Sequence, residues 1–119
     1  MSESQEKSSS RPGPSRKVVV LEDSFRVTEM TLPPGGEVRP HRHTWMTDVF
    51  YGLAGELLLK VEGQEAFRLA CGTSAEVRPG LLHGARNVGA DEGRFLLVQH
   101  GGRYDFVEPS EDMSEDMAE

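Results

Sequence analysis

The chain predicts an all-β fold, a sandwich or closed barrel of eight or nine short strands, with the jelly roll among the options. Three observations carry that expectation. Short runs of alternating apolar and polar residues recur at regular spacing, with Gly- and Pro-containing turns between them. Thirteen Gly and seven Pro are scattered along the 119 residues, which suits a turn-rich β domain better than a helical bundle. No segment has the caps and the long 3.6-residue pattern of a helix, the Met-rich stretch near 113–117 included. This length holds one domain with a real core, not two.

The elements follow in order. Residues 17–21 are a β-branched run, and residues 25–32 a second strand that ends at the tight reversal Pro33-Pro34-Gly35-Gly36. Residues 38–43 alternate. Residues 49–53 and 56–61 are two strands separated by Gly55. Leu57, Leu59 and Val61 share one face of the second, opposite Glu56, Lys60 and Glu62. Glu62-Gly63-Gln64 reads as a hairpin turn, after which Phe67 and Leu69 alternate with charges. Residues 75–77 meet Arg78-Pro79-Gly80, and residues 83–88 and 95–100 complete the set. No internal repeat is present.

The formal net charge of −7 is unevenly placed. Residues 105–119 hold seven acids and no base, residues 1–17 two acids and four bases. Residues 1–16 and 108–119 therefore read as disordered tails flanking a domain at 17–107. The domain has no net positive charge and few aromatics, which argues against nucleic acid. No apolar run is long enough to span a bilayer and no secretory leader is visible, so no membrane partner is expected. Cys71 stands alone, which excludes a disulfide framework, fits a reducing cytoplasm and reads as a small strand-end residue.

His41 and His43 have the spacing that puts two side chains on one face of a strand. Two imidazoles on one face begin a metal site, and His83 and the carboxylate of Asp48 offer further ligands. Arg39 shares their parity and is a candidate to bind a carboxylate, phosphate or enolate oxygen, or else a rim arginine. Arg42 points to the other face. Phe50 and Gly52 share the parity of Asp48 and face inward, Gly52 either widening the cavity or permitting a close backbone approach. Trp45 and Met46 cap the pocket or plug the barrel end. Tyr51 and Leu53 are assigned to sandwich packing, and Tyr104 and Phe106 to docking on the barrel exterior.

These residues also fall into two motifs. Gly35, His41-Arg42-His43, Asp48 and Gly55 follow one another at intervals of five, four and six residues. Gly72, Arg78-Pro79-Gly80, His83 and Asn87 follow at intervals of five, two and three. In both motifs the chain resembles a small single-domain cupin, with the spacing kept and two departures: Asp48 for the usual Glu and Arg78 for the usual Pro. The resemblance implies a cupin-type jelly roll. It also implies one divalent transition metal (Fe2+, Mn2+, Ni2+, Cu2+ or Zn2+) held by His41, His43, Asp48 and His83. Homodimerisation through edge strands is a further expectation from the family.

Aspartate is one methylene shorter than glutamate, so its carboxylate stops roughly 1.5 Å short from the same backbone position. Metal–ligand distances tolerate only about 0.2 Å. Either the backbone shifts to make Asp48 a ligand, or it acts through water or a histidine N–H. A site of this kind supports several chemistries. One is a dioxygenase-like oxidation of a small organic substrate. A second is non-redox isomerase, lyase, dehydratase or polyketide cyclase chemistry, in which a histidine or Asp48 moves protons. A third is a module that binds or senses a small ligand. A metal-dependent enzyme acting on a small molecule is the expectation, with Asp48 and Arg39 as its catalytic candidates.

Overall fold

The computed structural model describes residues 11–109. Nine strands and no helix are present among them: β1 (Ser15–Glu22), β2 (Phe25–Leu32), β3 (Glu37–His41), β4 (Thr47–Ala54), β5 (Leu57–Val61), β6 (Phe67–Leu69), β7 (Ser74–Val77), β8 (His83–Asn87) and β9 (Gly93–His100). They form two antiparallel sheets, a five-stranded one in the order β1-β2-β9-β4-β7 and a four-stranded one in the order β3-β8-β5-β6. From β3 to β5 and from β7 to β9 the chain steps from one sheet to the other at every connection. That stepping closes a jelly roll around a single core.

Alternation explains which residues fill it. Leu57, Leu59 and Val61 point inward from β5, as their spacing requires. They meet Leu32, Phe95, Leu69, Val77 and Met30 in one buried cluster. Phe95 and Leu32 have no solvent exposure at all. The opposite parity of β4 places Tyr51 and Leu53 on the outer face, at 44% and 36% exposure. The expectation of sandwich packing for these two is therefore corrected: Asp48, Phe50 and Gly52 take the inner face, and their strand neighbours must face out.

Two glycines have steric tasks. Gly55 adopts φ 84°, and a Cβ there would lie 2.6 Å from the Glu92 carbonyl oxygen. A Cβ on Gly52 would collide with the Ala70 carbonyl, so this glycine permits close backbone approach rather than widening the cavity. Gly52 N–H donates to the Thr73 carbonyl, and its own carbonyl accepts from Gly72 N–H.

The sequence-based boundary at residue 16 falls inside β1. Ser15 pairs with Thr31, the Pro12 carbonyl accepts from Glu37 N–H at 2.9 Å, and Arg11 pairs with Glu37 at 3.0 Å. At the other end, Glu108 pairs with Arg39. The remainder of both expected tails, residues 1–10 and 110–119, lies outside the described residues.

Candidate metal centre

His41 on β3 and His83 on β8 are direct cross-strand partners in the four-stranded sheet. Asp48 on β4 faces them from the other sheet, beside its own cross-strand partner Gln99 on β9. His43 lies two residues beyond β3. It keeps the parity of His41 because Arg42 makes a two-way backbone bridge to Val107, which extends the strand geometry past its formal end. His41, His43, Asp48 and His83 are all buried, and their ligand atoms lie within 4.8 Å of one another.

Backbone carbonyls set the histidine tautomers. His41 Nδ1 contacts the Arg39 carbonyl at 2.8 Å, His83 Nδ1 the Leu81 carbonyl at 2.9 Å, and His43 Nδ1 the Asp105 carbonyl. A carbonyl only accepts, so each Nδ1 carries the proton and each neutral ring presents the Nε2 lone pair. Two of these nitrogens sit against the same carboxylate oxygen: Asp48 Oδ2 is 3.0 Å from His83 Nε2 and 3.3 Å from His43 Nε2. Lone pairs turned onto a buried carboxylate repel unless a cation or protons lie between them. The donor set therefore fits a divalent transition metal, with outer hydrogen bonds of the kind that orient metal-binding histidines. Asp48 reaches the histidines despite its shorter side chain.

The electrostatics carry the same signature. Burial pushes His41 down to about 4, against the opposing pull of its bond to the Arg39 carbonyl. Burial also lowers His43, but the adjoining Asp48 carboxylate outweighs it and the net shift is upward. Burial raises Asp48, and the contacts with His43 and His83 then hold it well below the usual carboxylate range.

Three participants escaped the sequence reading. Gln99 Nε2 donates to Asp48 Oδ1 at 3.1 Å and lies 3.3 Å from His43 Nε2. Its signal was a polar residue at inward parity in an apolar strand. Phe106 and Tyr104, expected on the outside, instead close the mouth of the site. The Phe106 ring stacks on His41 with centroids 4.2 Å apart and planes at 14°, and Tyr104 lies 5.5 Å from His43. The cause is the Arg42–Val107 bridge, which lays residues 104–107 across the barrel end, where Asp105 Oδ1 also accepts from Thr44 N–H.

Arg39 stands apart from this group. It is exposed, pairs with Glu108 and does not line the cavity. The register between β3 and β8 slips between Val38 and His41, and the extra residue turns Arg39 outward. Its placement near the cavity is corrected accordingly; only its carbonyl serves the site, through His41. Arg42 faces away, as its parity predicted, and donates to the Gly80 carbonyl at 3.0 Å. Met46 is buried as a plug, whereas Trp45 is half-exposed beneath the Arg103 guanidinium.

The cluster opens into a cavity of about 80 Å³ walled by Met30, Phe50, Phe95 and Leu97, with Arg16, Arg26, Tyr104 and Phe106 also on its lining.

Comparison with known proteins agrees with this architecture. The structure is similar to a conserved protein with a double-stranded β-helix domain from Klebsiella pneumoniae, at 28% identity over 85% of this chain and 90% of that one, with a TM-score of 0.73. A cupin domain from Bordetella pertussis is 31% identical over 79% of this chain and 99% of its own, with a TM-score of 0.65. A cupin 2 domain-containing protein from Halorhodospira halophila, 21% identical over 89% of this chain and 77% of that one, matches in fold with a TM-score of 0.79. No curated protein matches the chain. A family profile described as a cupin domain matches residues 28–99, the span that contains both motifs and every candidate ligand, and the chain belongs to that family.

Proposed function

We propose that the protein is a metal-dependent enzyme acting on a small organic substrate, with a divalent transition metal held by His41, His43, His83 and Asp48. One observation carries the reading: three buried imidazoles, each bonded at Nδ1 to a backbone carbonyl, gather with one buried carboxylate so that the four ligand atoms lie within 4.8 Å of one another. A metal held there would supply substrate activation, with dioxygen as co-substrate in the oxidative reading. The chain's own residues do the rest. Gln99 orients Asp48, the backbone carbonyls hold the rings, and Phe106 and Tyr104 restrict water at the mouth. Dioxygenase-like oxidation is the reaction class proposed.

A second reading is favoured by the His43–Asp48 pair. The carboxylate of that pair, its Oδ1 bonded to Gln99 and its Oδ2 against His43, is the group placed to take a proton from substrate and return it, as a non-redox isomerase, lyase, dehydratase or cyclase requires.

Metal content of protein purified without a histidine tag tests the site. The wild type is expected to hold about one divalent ion per chain. His41→Ala, His43→Ala and His83→Ala are each expected to lose it. Undiminished metal in all three variants would sink the proposal. Oxygen uptake on a carbonyl and enol panel separates the two chemistries, since anaerobic turnover belongs to the second alone.

A further inference from the structure

Arg26 follows the inward parity of β2, so that it lines the same cavity as Thr28 and Met30. It is the cross-strand partner of Gln99, which is in turn the partner of Asp48. Arg26, Gln99 and Asp48 thus form one row across the five-stranded sheet, with strands spaced by about 4.8 Å. The Arg26 guanidinium lies over the Tyr104 ring, Cζ 3.9 Å from its centroid, a cation–π contact that holds it at the cavity. Among the described residues Arg26 enters no ion pair, and its buried Nε has no hydrogen-bond partner. Glu22 and Asp23 flank it in the outer groove without pairing to it. Arg16, opposite Met30 on β1, adds a second cation to the cavity wall. Acids outnumber bases 20 to 13 in this chain, so a half-buried guanidinium left without a carboxylate partner is a conspicuous exception.

We infer that the cavity takes a small carboxylate, bound by Arg26 with Arg16 beside it, its other end facing the His41–His43–Asp48–His83 cluster. The position of that second end rests on the metal-centre reading; the carboxylate contact does not. A planar carboxylate matches the planar guanidinium in a bidentate pair. Between the two polar ends the wall is apolar, from Met30, Phe50 and Leu97. A cavity of about 80 Å³ holds roughly five to eight water-sized groups. The ligand class is therefore a short organic acid of about that many non-hydrogen atoms.

Pyruvate is the probe, 2-oxopropanamide its neutral counterpart and inorganic phosphate the competing anion. Each is titrated into the full chain, metal-loaded and metal-free, and followed by amide chemical shifts. Pyruvate is expected to saturate, and the amide to bind at least about tenfold more weakly. Arg26→Gln is expected to weaken pyruvate by a similar factor with metal content unchanged, and Arg26→Lys to fall between. Equal affinity for acid and amide, unchanged affinity in Arg26→Gln, tighter binding of phosphate than of pyruvate, or no saturable pyruvate binding would each overturn the inference. Should Arg26→Gln fail to fold, the acid–amide comparison in the wild type and Arg26→Lys still decide it. Should the wild type hold no metal, the metal-centre reading fails alone, and Arg26-dependent binding of pyruvate to the metal-free chain still supports the carboxylate site.

Discussion

Asp48 holds the only negative charge in the buried cluster, and two imidazole nitrogens lie within 3.3 Å of its Oδ2. Replacing it by Asn keeps the shape and removes the charge. Asp48→Asn is expected to weaken the metal by about 10- to 100-fold, read by competition with a chelator. The protonation of His41 gives a second test. In the unfolded chain His41 takes a proton near 6.5, whereas in the fold burial holds it down to about 4. Stability of the metal-free protein should therefore fall as pH drops from 6.5 toward 4, because the unfolded state binds the extra proton in that window. Asp48, also depressed, removes further stability as the pH falls through its folded pKa. His43 has the opposite sign: its contribution is present below 6.5 and is lost as pH rises through its raised pKa. Urea midpoints measured against pH with a chelator present check the signs, and His41→Gln should flatten the acid side.

Between elements, the decisive contacts belong to segments that are barely strands. Residues 104–107 supply the carbonyl that holds His43, the ring that stacks on His41 and a backbone bridge to Arg42. Phe106→Ala should cost about 0.5–1.5 kcal/mol by loss of the stacked pair, seen as a lower urea midpoint. Ending the chain after Gly102 removes all three supports together. Metal affinity should then drop more than in Phe106→Ala, and retention of full affinity would show that β3, β4 and β8 suffice. The turn after β4 is equally specific. Gly55→Ala places a Cβ against the Glu92 carbonyl in a left-handed conformation, and should cost at least about 1–2 kcal/mol.

Across the whole molecule, the centre joins two sheets that meet through the apolar core and the buried bond from Asn87 Nδ2 to the Leu32 carbonyl. His41 and His83 belong to one sheet, Asp48 and Gln99 to the other. A metal bound there ties the sheets together and binds only the folded state. At a free concentration 100 times its dissociation constant it should add about 2.7 kcal/mol of stability. For a domain of this size that corresponds to a rise in melting temperature of roughly 10 °C or more. A scan with and without saturating metal checks the shift, and the His83→Ala variant should show none. Phe95→Ala, which empties the centre of the core, should instead cost about 3–5 kcal/mol whether or not metal is present.

Much of this was legible in the chain itself. Period-two alternation located every strand to within a few residues, because a side chain on a half-buried strand has only two directions to face. The motif spacing picked out the four residues that cluster, since His41, His43, Asp48 and His83 lie on or just beside three strands. Single-strand reasoning failed where the neighbours decided the outcome. Arg39 was turned outward by a slip against β8, and Tyr51 and Leu53 were left facing solvent because no third layer covers them. Gln99 and Arg26 joined Asp48 only through pairing across β2, β9 and β4, which links residues more than seventy positions apart. Phe106 and Tyr104 entered the site through one backbone bridge of two hydrogen bonds. The sequence by itself determined the fold class and the four candidate ligands. Tertiary pairing alone decided what surrounds them, because register and bridge geometry depend on the partner strand and not on the residues of either strand alone.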